Sequence, residues 1–138
     1  MATLNGFLNP KKIKTVKFAL SERFCDEDGN PYEWELRCLS GEEVQEIQNE
    51  CTVMKQVGNK VHTDFDNNKF QDLILTKSVI FPNPYAADLQ EAHNKNGKLE
   101  KIFSKMLTGS EYLTLYTKAA EVNGLNKSLD DLVETAKN

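Results

Sequence analysis

Tyr32-Glu33-Trp34-Glu35-Leu36-Arg37-Cys38 runs almost directly into Ser40-Gly41-Glu42-Glu43, and the change of period between the two stretches decides the fold. In the first, Tyr32, Trp34, Leu36 and Cys38 alternate with Glu33, Glu35 and Arg37, the two-residue period of a half-buried strand. In the second, the Ser40 hydroxyl can accept from the third helical amide while Glu43 reaches back to the amide of Ser40, a capping box that starts a helix. Upstream, Val16, Phe18, Leu20 and Phe24 share one parity, broken by Glu22 alone. Between the two strand patterns, Asp26-Glu27-Asp28-Gly29-Asn30-Pro31 supplies a glycine able to take positive φ and a proline that ends the turn, so an antiparallel hairpin is expected.

Downstream the period is helical. Val44, Ile47, Cys51 and Met54 fall on one face of the first helix. After Gly58-Asn59 the short alternating run Val61, Thr63 and Phe65 is compatible with a third strand. A second helix is expected from Asp66, carrying Phe70, Leu73, Ile74 and Lys77, with Ile80 and Phe81 near its end before Pro82 and Pro84 forbid continuation. A short helix over 86–94 places Leu89 and His93 four apart, with His93 as a half-buried polar edge. Leu99, Ile102, Phe103 and Met106 follow at helical spacing. Thr108-Gly109-Ser110-Glu111 repeats the capping-box logic, opening a helix with Tyr112, Leu115, Tyr116, Ala119 and Val122 on one side and Asn123-Gly124 as its left-handed stop. A last amphipathic segment opens at Ser128, with Leu129, Leu132, Val133 and Ala136 on one face and Asp130 and Asp131 complementing the helix dipole.

The expected fold is therefore α+β, an N-terminal antiparallel hairpin packed on a mainly helical bundle of five to six helices. Residues 1–12, with Asn5, Gly6, Asn9 and Pro10, read as a flexible arm. Residues 13–125 form one domain. Residues 126–138 make a C-terminal amphipathic helix that either packs on the bundle or detaches for a partner.

At 138 residues, with 39% apolar and 28% charged side chains, the chain has ordinary globular composition for a single core. A net charge of −4 disfavours nucleic acid, and the lysines at 11, 12, 14 and 17 read as the solvated edge of the first strand. Neither a signal peptide nor a membrane-spanning run is evident, and the three cysteines, Cys25, Cys38 and Cys51, leave an odd thiol under any pairing. Reduced thiols in a reducing cytoplasm are expected.

The chemistry of enzymes is missing from the pattern. The cysteines lack the close ligand pairs of a zinc site, and His62 and His93 stand alone. Asp26, Asp28 and Asn30 imitate calcium ligands, but Gly29 falls fourth where an EF-hand loop needs glycine sixth, and Arg37 holds the place of the twelfth-position glutamate. A thiol nucleophile at Cys51 or Cys25 with His62 or His93 has no arranged base or oxyanion site. Catalytic, cofactor and metal residues are thus expected to be none. Function is to be sought in surfaces, with Tyr112, Tyr116, Leu129, Leu132 and Val133 as partner-binding candidates and the alternative that the two tyrosines cap the core.

The chain resembles the XkdN-like phage tail assembly chaperones over most of its length. Asp26-Glu27-Asp28-Gly29 through Glu33-Trp34-Glu35-Leu36-Arg37 to Ser40-Gly41-Glu42-Glu43 is similar to the amino-terminal block of that family, Glu50-Cys51-Thr52 to the close of its first helix, and Val79-Ile80-Phe81-Pro82 to the end of its second. Lys105-Met106-Leu107, Gly109-Ser110-Glu111-Tyr112 and Val122-Asn123-Gly124-Leu125 resemble the carboxy-terminal block. Thr108-Gly109 and Asn83-Pro84-Tyr85 depart from the family, which often has a proline at the first and an acidic, alanine-rich stretch at the second.

The resemblance implies a phage or prophage protein, not an enzyme and without cofactors. Such a protein coats the tape measure protein during tail morphogenesis and is absent from the finished tail. A long helical chain with apolar stripes aggregates unless something covers it. The alternative is a minor structural tail protein retained in the virion. Two further partners follow, a second copy in a homo-oligomer and a longer frameshifted form of the chain itself. Ala136-Lys137-Asn138 can be encoded as GCA AAA AAC, which contains the slippery string A AAA AAC.

Overall fold

The computed structural model describes residues 3–125. Along them run α1 (Asn5–Leu8), β1 (Val16–Ala19), β2 (Glu33–Leu36), α2 (Gly41–Cys51), β3 (Thr52–Val57), β4 (Lys60–Phe65), α3 (Asn67–Ser78), β5 (Val79–Phe81), α4 (Ala87–His93), a 3-10 turn at Leu99–Lys101, α5 (Ile102–Met106) and α6 (Gly109–Val122). The class is α+β. The antiparallel hairpin β1–β2 pairs Val16 with Leu36 and Phe18 with Trp34, and β5 adds to the other side of β2, giving a sheet in the order β1-β2-β5.

The alternation in β2 puts Trp34 and Leu36 in the core. The hairpin loop is held by its own acid: Asp26 Oδ1 accepts from the amides of Asp28 and Asn30, both at 2.9 Å. That carboxylate oxygen braces a turn in which Gly29 has φ +84°. Both capping boxes form, with the side chains of Ser40 and Thr108 accepting from the amides of Glu43 and Glu111 and each glutamate returning to the capping residue's own amide.

Helix α3 is the axis of the bundle. Asp72, Leu73, Ile74, Leu75, Thr76 and Ser78 are all buried, because α2, α5, the 3-10 turn and α6 cover it from several sides. A fully buried leucine or isoleucine contributes roughly 1.5–3 kcal/mol, more than an exposed ion pair at about 1 kcal/mol or less. Packing around α3, and not the surface charges, therefore sets the architecture.

Two expectations are corrected and a third element is placed. Met54 does not continue the first helix, which stops at Cys51; Thr52–Val57 is a strand because β4 offers it an antiparallel partner in unbroken register from Thr52↔Phe65 to Val57↔Lys60. The run Val61–Phe65 is the strand its alternation suggested, and it pairs with β3 in a second sheet. Ile80 and Phe81 do not end the second helix either. That helix stops at Ser78, and Val79–Phe81 turns into β5 to satisfy its backbone against β2.

Candidate partner-binding surfaces

The β2–β5 edge, the loop after β1 and the helices α4 and α5 together enclose a groove of about 470 Å³. Its floor is Trp34, only 1% exposed, held between Phe24 at 6.1 Å and Phe103 at 5.4 Å between ring centroids. Tyr32 and Phe81 stand at the walls about half exposed, at 48% and 50%, with Pro82 beside them and Leu89, His93 and Met106 closing the far side. The loop delivers Phe24 and Tyr32 together because the Tyr32 amide donates to the Phe24 carbonyl at 2.8 Å. Leu89 and His93 line the groove from one face of α4, as their spacing implies, although His93 is exposed where a half-buried edge was expected. Leaving two large aromatic rings half in water costs burial energy, which an apolar side chain entering the groove recovers.

The rim is charged and fixed. Arg23 stacks 5.0 Å from the centre of the Phe24 ring and forks onto Glu111, with Nε and Nη2 donating at 2.9 and 2.6 Å. This pair, helped by Ser21 and the Thr108 amide, holds the Glu111 carboxyl well below the ordinary carboxylate range. Away from the groove, Arg37 forks onto Glu43 in the same manner. That fork and the Ser40 amide bring the Glu43 carboxyl down to about 2.

The two tyrosines singled out on α6 lie partly buried against the core. Tyr112 donates its hydroxyl to Asp72 Oδ1 at 2.7 Å, and Lys101 Nζ donates to Asp72 Oδ2 at 2.6 Å. Asp72 is 2% exposed. Burial, and then the hydrogen bond to this carboxylate, raise the Tyr112 phenol far above its usual value, and burial raises that of Tyr116. Leu129, Leu132 and Val133 lie outside the described residues.

Two further apolar surfaces come from the arm and the second hairpin. In the arm Leu4, Phe7, Leu8 and Ile13 are all well exposed, α1 having no buried residue. In β3 and β4 every residue is exposed. The groove residues Phe24, Phe81, Pro82 and Met106 were not marked as a binding set by the sequence; the available signal was the aromatic-proline pair Phe81-Pro82 after a helix, which announces a chain reversal at a surface.

Among the described residues no group of three or more histidine, cysteine, aspartate or glutamate side chains could hold a metal ion, and no helix is long and apolar enough to cross a membrane. Cys51 is fully buried and burial pushes its thiol above the usual range, the opposite of what activates a nucleophile.

The described residues thus form an α+β body with an aromatic groove and exposed apolar appendages. The same architecture is found in the crystal structure of the protein YqbN, with a TM-score of 0.74 and 24% identity, covering 90% of this chain and 98% of that one. Residues 4–137 match the family of the phage XkdN-like tail assembly chaperone protein, and the chain belongs to that family. It is similar to the phage-like element PBSX protein XkdN of Bacillus subtilis (strain 168), at 33% identity over 98% of this chain and 93% of that protein. It is also similar to the protein YqbN of the same organism, at 31% identity over 92% of this chain and 86% of that one.

Proposed function

We propose that the chain is a phage or prophage tail assembly chaperone that binds the tape measure protein in the cytoplasm of the bacterial host, acts without catalysis, and leaves before the tail is finished. The observation that carries this reading is the groove floored by Trp34 and walled by the half-exposed Tyr32 and Phe81. It is deep enough for apolar anchors from one face of a helix and too small to swallow the helix, the geometry of a helix-in-groove contact that can later be displaced.

In this reading the arm 1–12 and the tail 126–138 flank the body 13–125. Tyr112, Tyr116, Leu129, Leu132 and Val133 extend the contact surface, Tyr112 and Tyr116 through their solvent-facing portions. A second copy of the chain and a longer frameshifted product are its other partners.

The test is co-expression with the long helical protein encoded nearby, with affinity capture and light scattering of the eluate. Many copies per long chain, with capture lost on Phe81→Asp, supports the reading. Absence of capture together with stoichiometric retention in purified particles overturns it in favour of a minor structural tail protein.

A further inference from the structure

The hairpin β3–β4 carries a free strand edge whose register fits a second copy of itself. Gly58 has φ +63° and Asn59 a negative φ, the signs of a type II′ two-residue turn, so Val57 and Lys60 are the hydrogen-bonded closing pair. Alternation along the ladder then directs the backbone groups of the even-numbered β4 residues toward β3, and the other end agrees, since the Asp66 amide donates to the Cys51 carbonyl at 2.8 Å. The amides and carbonyls of Val61, Thr63 and Phe65 consequently point away from β3. Among the described residues no other strand pairs with β4, and every β4 side chain is exposed.

We infer that two copies of the chain associate through β4, antiparallel about a twofold axis, in a continuous sheet with the order β3-β4-β4-β3. The occupant is chosen by charge. In the register that places Val61 opposite Thr63 of the second copy, both members of each hydrogen-bonded pair carry outward-facing backbone groups. The same register sets Lys60 opposite the second copy's Asp64, twice by symmetry, and His62 opposite its own equivalent. Cross-strand opposite charges favour such a pairing and like charges oppose it. The outer edge of β3 offers no such match, because its only charged residue is Lys55. On the far face of the hairpin Met54, Val61 and Phe65 alternate with Gln56, Thr63 and Thr52, so the joined sheet has one face free of charge.

This deepens the self-association proposed above and does not depend on tape measure binding. The test is sedimentation of the full chain across a concentration series, with Lys60→Asp, Asp64→Lys and an equimolar mixture of the two. Each variant alone faces like charge across the axis and is expected to raise the dissociation constant by about tenfold or more. In the mixture both altered positions meet opposite charge, and association returns. Lys55→Ala, which breaks only the ion pair within one hairpin to Asp64, at 3.2 Å, leaves the mass unchanged. A chain that is monomeric throughout overturns self-association itself. An oligomer insensitive to both charge reversals, or one that the mixture fails to restore, overturns the β4 contact while leaving self-association standing.

Discussion

Removing Lys101 should destabilise the protein more than neutralising the acid it pairs with. Asp72 is buried and accepts hydrogen bonds from both Lys101 Nζ and the Tyr112 hydroxyl, whereas the Lys101 side chain is 38% exposed. The two ends of the ion pair therefore differ in what they lose. In Lys101→Met the carboxylate stays buried with one donor, and breaking a buried pair on that side costs about 3 kcal/mol or somewhat more. In Asp72→Asn the ammonium turns to water, and the neutral amide still accepts from Tyr112, so the loss is about 1–2 kcal/mol. Combining the substitutions removes the stranded charge, and Lys101→Met with Asp72→Asn should be more stable than Lys101→Met alone by about 1 kcal/mol.

Urea denaturation at pH 7 with a common slope measures all three, and a difference of 1 kcal/mol corresponds to about 3–5 °C in Tm for a chain of this size. The reasoning is refuted if Asp72→Asn is the more damaging substitution, or if the double variant is no better than Lys101→Met. Either outcome shows that a stranded buried carboxylate is not what governs the cost of breaking the pair.

Two further outcomes follow. Glu43 and Glu111 have carboxyl groups depressed in the folded state by Arg37 and Arg23 respectively, so each contributes stability that is full above the ordinary value of 4.5 and is lost as pH falls through the folded value, which for Glu43 is about 2. The partly exposed Arg37–Glu43 pair is screened and worth about 1 kcal/mol at most, and Glu43→Gln should flatten the fall in urea midpoint between pH 4.5 and 2; an unchanged slope contradicts the assignment. Asn123 accepts from the Leu39 amide at 2.7 Å and donates to Ser78 Oγ at 3.1 Å and the Ala119 carbonyl at 2.8 Å. Asn123→Ala should cost about 2 kcal/mol by orphaning that amide, and thermal melts showing less than about 0.5 kcal/mol contradict it.

The parts of the fold written in neighbouring residues were legible. Each capping box needs only four residues in a row, and the alternation of Trp34 and Leu36 and the helical spacing of Leu89 and His93 are equally local. What failed was pairing across distance. Met54 continues the three-and-four spacing of Val44, Ile47 and Cys51, so nothing within the helix pattern stops it; the stop comes from β4. Val79-Ile80-Phe81 reads as the apolar end of a helix until β2, far back along the chain, claims it as an edge.

The groove floored by Trp34 was hidden for the same reason. Its walls come from a loop, a strand end and two helices, and only Leu89 and His93 shared an element that could announce them. Asp72, lying among Leu73, Ile74 and Leu75, did carry a signal: an acid inside an apolar helical run requires a buried donor, and Lys101 and Tyr112 supply two.

The hairpin β3–β4 leaves the body after Cys51 and returns at Asp66, where the amide of one meets the carbonyl of the other, with Phe65 tethered to Phe70 of α3 at 5.5 Å between ring centroids. A segment whose ends are joined by one hydrogen bond behaves as a cassette. It can grow, shrink or be exchanged without shifting α2 or α3, since lengthening a surface excursion costs little closure entropy. Changes in this projection therefore stay local, while a change of one methylene in the bundle around α3 is felt throughout a packed core.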